Sequence, residues 1–245
     1  MISKLQNSCC LLAVIAIALL LAACTTTEPI KTGKTIPQQR DRNLLTQLGK
    51  SDLDRLADVE MRENTQILRT LMIKLYKRNP RELRKNTTAS AEEMVTSVFE
   101  NQHGWRFKEI GEAQSSVAIQ QAFRPDYQGD RVMSLIVGLQ TMLIKAHGGK
   151  TEFFLTDSID PQSIFNAARN VEIAVWQLSN ARDDKGQLDL LTNELNDHER
   201  NLSFEREFGK IIGSLDLFAI TLSEKLQRGI TRVVQTLSTA LFLPL

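Results

Sequence analysis

The stretch RVMSLIVGLQTMLIKA, residues 131–146, decides the fold of this chain. Apolar residues occupy almost every position, so a helix over this stretch has no polar face to turn toward water and belongs at the centre of a bundle. Asp130 precedes the stretch as a helix N-cap, and Gly148 and Gly149 follow it as a helix end. Gly138, inside it, predicts close approach by a neighbouring helix.

The segments before this central helix also carry helical signals. Ser51 and Asp54 form the capping pair of a first helix, whose apolar residues recur at helical spacing. That helix ends at Asn79, because the residue before a proline avoids the helical conformation. Asn79 and Glu82 then suit the caps of a short second helix with Pro80 at its first position.

Two further helices are predicted before residue 130. Ser90 and Glu93 repeat the capping pattern, and Gly104 ends the helix that they begin. The next helix is predicted over residues 113–123, and Pro125 ends it.

After the central helix the pattern is at first irregular. Residues 151–156 suit a short strand, but a lone strand cannot build a sheet, so we expect an extended connector. Asp160-Pro161 begins the next helix. Its inner stripe is formed by Ile164, Ala168, Val171, Val175 and Leu178. Residues 180–201 predict a long polar loop with a helical turn near residues 188–195.

The last segment has the most regular pattern. Apolar residues recur every three or four positions from Phe204 to Leu241. One unbroken helix over this range would be about 57 Å long, and the alternative is two helices separated near Gly229. The apolar end, residues 240–245, is expected to pack into the core, with docking to another protein or to a membrane as the alternative.

Together these segments predict an all-α bundle of about six or seven helices with a long C-terminal helix. They form one helical domain, residues 43–245. No internal repeat of the tetratricopeptide type is present, which argues against a solenoid.

The first 23 residues carry the signals of a targeting leader. Lys4 supplies positive charge, and the apolar run from Cys9 to Leu20 is too short to span a membrane. The leader closes with Leu21, Ala22 and Ala23, followed by Cys24.

These four residues resemble the lipobox of bacterial lipoproteins. The resemblance implies signal cleavage before Cys24 and a diacylglyceryl group on its thiol, with several acyl chains such as palmitate that anchor the protein. Thr25, in place of Asp, implies sorting to the outer membrane and a periplasmic face; inner-membrane retention is the alternative. The other interpretation is an ordinary secretory signal that leaves Cys24 as a free thiol.

The mature chain then begins with a lipidated cysteine and a flexible tether, residues 24–42. The part after the cysteine reaches at most about 60 Å when extended. Cys24 is the only thiol left after cleavage, so no internal disulfide forms and a hydrophobic core has to hold the fold. Residues 166–176 and 204–209 resemble an uncharacterised proteobacterial lipoprotein, which implies neither an activity nor a site.

The charge balance of 30 Lys+Arg against 29 Asp+Glu argues against a nucleic-acid-binding protein. The chain has no glycine-rich phosphate loop and no Gly-x-Ser-x-Gly motif. No catalytic residue, metal ligand or cofactor is therefore predicted.

Three histidines require separate consideration. His103 and His147 each precede a glycine at a predicted helix end, where an imidazolium stabilises the helix dipole. His198 lies in a polar, acidic stretch that suits a solvated loop, with a metal site as the alternative.

Two carboxylates are candidates for a tuned general acid. Glu172 and Asp216 each lie between apolar residues, as the protonated acid of a glycan-cleaving enzyme requires. Each also suits the polar edge of an amphipathic helix, and Glu172 can pair with Arg169. The cluster at residues 205–207 suits either helix-start acids or an ion-pair network that docks the last helix.

Aromatic residues near predicted element ends suit either core closure or a partner-binding patch. They are Trp105, Phe107, Tyr127, Phe153 and Phe154.

The leading functional hypothesis is a periplasm-facing outer-membrane lipoprotein that acts as a non-enzymatic accessory or scaffold for another envelope protein. One alternative is a peptidoglycan-acting enzyme that uses a buried carboxylate. The other is a carrier of a lipid or apolar ligand, which needs a cavity of several hundred cubic ångströms between the helices.

Overall fold

The structure is a computed structural model that describes residues 50–100, 104–154, 156–183, 185–192, 204–227, 230 and 242–245. Seven α-helices occur in these ranges, and none of their residues forms a named strand, which confirms the all-α bundle. The helices are α1 (Asp52–Arg78), α2 (Pro80–Arg84), α3 (Ala91–Glu100), α4 (Ser115–Ala122), α5 (Arg131–Ala146), α6 (Pro161–Asn180) and α7 (Phe204–Leu226); a 3₁₀ helix spans Lys108–Ile110. All belong to one compact unit, Asn43–Leu245.

Helix α5 is the central helix that its sequence predicts. Every residue of α5 except Ile144 and Lys145 is buried. It packs against α1, α4 and α6, while α7 packs against α1 and α6. The side chain of Asp130 caps α5 by accepting a hydrogen bond from the amide of Met133, as expected of an N-cap.

Gly138 brings α4 and α5 together. A Cβ at this position would lie 2.7 Å from Ile119 Cγ1 and 2.9 Å from the carbonyl oxygen of Ser115. These distances are too short for any larger residue, so the predicted close approach is confirmed.

The predicted helix starts are confirmed at Ser51, Ser90 and Asp160. The Ser51 hydroxyl accepts from the Asp54 amide while the Asp54 carboxylate accepts from the Ser51 amide. Ser90 and Glu93 make the same reciprocal pair, and Asp160 accepts from the Ser163 amide. Helix starts are set by local chemistry, which is why spacing reveals them.

Asn79 is the N-cap residue of α2 and Pro80 begins the helix, as predicted, but the predicted capping by the Asn79 side chain is absent. The side chain donates instead to the carbonyl oxygens of Leu75 and Leu191, and it accepts from the Leu191 amide at 2.7 Å. Asn79 therefore ties the end of α1 to a distant loop.

Helix α7 begins at Phe204 as predicted and ends at Leu226. Gln227 has a φ of 51°, a left-handed conformation that an α-helix does not contain. Residues 204–241 are therefore not one continuous helix, and the break lies close to Gly229; residues 228, 229 and 231–241 lie outside the described ranges.

The described C-terminal residues pack as predicted. Phe242 and Leu245 are partly buried against the core. Asn170 of α6 binds both the amide and the carbonyl group of Leu243, at 2.6 and 2.9 Å. Asn166, one turn away, donates to the carbonyl oxygen of Pro244 at 2.8 Å.

The segment after α6 differs from its prediction. Arg182 and Leu188 form an isolated antiparallel bridge, and residues 188–192 are not helical, so the predicted turn is absent over these five positions; residues 193–195 are outside the described ranges. Residues 151–154 and 156 form no strand, as expected of a connector. Among the described helices, none is long and apolar enough to cross a membrane.

Candidate functional site

The predicted lipidation site lies outside the described residues. Leu21, Ala22, Ala23 and Cys24 therefore remain a sequence-based prediction, as does the tether after them. His103 and His198 lie outside the described ranges as well.

His147 is the C-cap of α5 and is fully buried. Its Nδ1 lies 2.8 Å from the carbonyl oxygen of Leu143, and because a carbonyl only accepts, Nδ1 carries a proton. Its Nε2 lies 2.8 Å from the buried Glu60 carboxylate. The ring stacks on Phe218 with centroids 5.6 Å apart.

This pair continues into a polar network between α1 and α7. Asn64 donates to the other oxygen of Glu60, and Ser214 of α7 donates to Asn64 Oδ1 at 2.8 Å. His147 lies at the end of α5, as predicted. The imidazole also brings the end of α5 into close contact with Glu60 of α1.

Glu172 and Asp216, the two candidate acids, are brought together by Arg169. The guanidinium lies 3.0 Å from Glu172 and 2.7 Å from Asp216, and it also lies over the ring of Phe165. Burial raises the pKa of Glu172; Arg169 opposes this shift and the nearby Asp216 charge adds to it. The cluster bridges α6 and α7.

Glu207 confirms the ion-pair alternative for the cluster at the start of α7. It lies 2.9 Å from Lys74 of α1 and 2.8 Å from Lys210. Burial alone would raise its pKa, but the hydrogen bonds from the two lysines outweigh burial and hold the pKa below its usual value. The pair with Lys74 docks α7 on α1.

Most of the candidate aromatics close the core. Phe153 is fully buried, and Trp105 and Phe107 pack partly buried against the core. Phe154 is more exposed, with its ring 4.6 Å from the Lys50 ammonium. Tyr127 lines a cleft for which no prediction was made from the sequence.

That cleft has a volume of about 1030 Å³ and lies where α1, α2 and the loop after α6 meet. Its lining includes the cations Arg78, Arg81, Lys85, Arg131 and Lys185 and the carboxylates Glu82, Asp183 and Asp189. The charged lining differs from the apolar cavity that a lipid carrier needs.

The floor of the cleft is fixed by Arg131. Its Nη1 donates to the carbonyl oxygens of Ala122 and Arg124 at 2.6 and 2.9 Å, and its Nη2 lies 3.5 Å from Asp189. The amide of Arg131 donates to Glu82 at 2.7 Å. Four separate segments are joined at this point.

Asp130 lies directly behind the floor. It accepts hydrogen bonds from the Tyr76 hydroxyl at 2.6 Å and from Asn86 at 2.9 Å. Burial raises the pKa of Asp130 to about 6, although the bonds from Tyr76 and Met133 oppose that rise. Burial and the neighbouring Asp130 charge also raise the pKa of Tyr76 far above its usual value.

A sequence signal for the cleft does exist. Residues 77–85 carry five cations and one carboxylate, in a chain whose total charge is nearly balanced. This local excess points to a basic surface. The other wall, from residues 183–191, is too far away in sequence to be assigned from spacing.

The described ranges contain no group of three His, Cys, Asp or Glu side chains with the arrangement of a metal site. No protein-family model, no curated protein and no solved structure matches this chain.

Proposed function

We propose that this protein is a lipid-anchored, periplasm-facing outer-membrane lipoprotein that serves as a non-enzymatic accessory or scaffold for another envelope protein. The observation that carries the proposal is the leader that ends in Leu21-Ala22-Ala23-Cys24 ahead of a folded helical domain. Several acyl chains on one cysteine give stable anchoring.

The arrangement of the candidate acids supports a structural role for them over catalysis. Glu172 and Asp216 both contact Arg169, which serves to hold α6 against α7. A general acid instead needs its proton directed at a substrate.

The anchor is tested by labelling cells with an alkyne analogue of palmitate and separating the membranes. We expect the full-length protein to be labelled and to fractionate with the outer membrane, and Cys24→Ser to lose both properties. The double variant Cys9→Ser/Cys10→Ser is the matched control, because it removes the leader's other thiols and should remain labelled. Equal labelling of Cys24→Ser would contradict lipidation at this residue.

A cell-wall enzyme is the second candidate function. The observation that favours it is the raised pKa of Glu172 in a cluster with Asp216. Glu172→Gln should then abolish cleavage of purified peptidoglycan without unfolding the protein, while Glu224→Gln on the exposed face of α7 should leave cleavage unchanged. Unchanged cleavage by Glu172→Gln would remove this assignment.

A further inference from the structure

Some charged side chains of the cleft make structural contacts, and others do not. Lys85 lies 2.7 Å from Glu82 and Arg131 pairs with Asp189, so these two cations are committed to the fold. Asp183 accepts from the backbone amides of Lys185 and Gln187, which shapes its own turn. The carboxylates of the lining are thus engaged in structural contacts.

Two cations at the mouth have no such role. Arg81 and Lys185 are exposed, and neither side chain has a hydrogen-bond or ion-pair partner among the residues that the structure describes. They belong to opposite walls, Arg81 to α2 and Lys185 to the loop after α6. A ligand in the cleft therefore meets positive charge from two sides.

Arg81 also faces a second hollow. This neighbouring depression, of about 360 Å³, is lined by Pro80, Arg81, Arg84 and Lys85. Arg84 uses one guanidinium nitrogen to bind the carbonyl oxygen of Ala89, which fixes its position. The basic surface thus continues around α2, with Arg81 between its two parts.

We propose that this cleft binds a ligand that carries two or more phosphate groups. The planar guanidinium of Arg81 matches two oxygens of one phosphate, and Lys185 on the other wall offers a second cation to a further phosphate. The cleft volume of about 1030 Å³ matches the size of a small-molecule site. Its concave shape with few exposed aromatic anchors favours such a ligand over an acidic protein segment. The proposal goes beyond the accessory role and does not depend on the lipid anchor.

The test is a calorimetric titration of the purified full-length protein, in uncharged detergent, with inorganic pyrophosphate. A second arm uses micelles of the same detergent that contain cardiolipin, a lipid with two phosphate groups, which distinguishes a lipid headgroup from a soluble phosphate compound. We expect saturable binding in at least one arm. Added salt should weaken it, because exposed charges are screened.

Charge-reversal variants distinguish binding in the cleft from a general attraction of the phosphate ligand to the protein's positive charge. Arg81→Glu/Lys185→Glu should weaken binding about tenfold or more, since charge-assisted hydrogen bonds are lost. Lys108→Glu on the exposed 3₁₀ helix reverses a cation outside the cleft lining and should bind like the unaltered protein. Circular dichroism of each variant checks the fold.

Three results would overturn the proposal. They are no saturable binding in either arm, equal loss in Lys108→Glu, and equally tight binding of hexaglutamate, which would assign the cleft to an acidic peptide.

Discussion

Asp130 is a carboxylate whose charge is opposed by burial and favoured by its hydrogen bonds. Its pKa of about 6 lies above the usual 3.8, so the folded state binds a proton more readily than the unfolded chain. Proton binding by Asp130 therefore stabilises the fold. This stabilisation is fully present below pH 3.8 and is lost as the pH rises through 6. Over that window the free energy of unfolding falls by about 3 kcal/mol from this residue alone.

Tyr76→Phe tests that assignment. Removing the hydroxyl takes a donor from the ionised Asp130 carboxylate, so we expect a loss of about 1–3 kcal/mol at pH 8. The loss should be smaller at pH 5, where Asp130 is protonated. Urea unfolding at both pH values measures it.

Tyr127→Phe is the matched control, since it removes the chain's other tyrosine hydroxyl, which makes no hydrogen bond to Asp130. A Tyr76→Phe loss that is the same at both pH values would show that the hydrogen bond does not depend on the charge of Asp130.

At this scale the sequence predicts local contacts and misses distant ones. The Ser51–Asp54 pair was predictable because three positions along a helix place the two side chains together. Asn79 was not, because its partner Leu191 is 112 residues away. His147 likewise was predicted at a helix end, but its contact with Glu60 depends on how α5 packs on α1.

At the scale of the helices, α5 organises the bundle because it lacks a polar face. Its N-cap residue accepts a hydrogen bond from Tyr76 of α1, and its C-cap residue contacts Glu60 of α1. Gly138, near the middle, allows the close approach of α4. The helix is therefore held at both ends and at its middle. Its position was predictable from composition alone, whereas its neighbours were not.

Gly138→Ala measures the contact between α4 and α5. The added methyl group meets backbone atoms of α4 that cannot move aside, so we expect a loss of about 1–3 kcal/mol. Gly213→Ala is the control, because a Cβ there meets nothing within 4 Å. In that exposed helix interior alanine should stabilise by up to about 1 kcal/mol. Thermal unfolding measures the change in stability of both variants, a loss for Gly138→Ala and a gain for Gly213→Ala. Unchanged stability of Gly138→Ala would contradict the close packing.

At the scale of the whole molecule, the candidate sites also combine local contacts that the sequence predicts with distant contacts that it does not. The Glu172 pair with Arg169 follows from spacing on one helix, but Asp216 joins it from another helix 47 residues away from Arg169. The charged cleft is assembled from α1, α2, the start of α5 and the loop after α6. One basic stretch, residues 77–85, carried a sequence signal for it; the opposite wall depends on the tertiary fold.

The accessory role requires that the domain be brought to a partner by its anchor. The most direct measurement is cross-linking in living cells, followed by capture of the full-length protein and mass spectrometry, with Cys24→Ser as the mislocalised control. We expect a reproducible envelope-protein partner that is lost in Cys24→Ser. Absence of any reproducible partner, or the same partner captured with Cys24→Ser, would contradict it.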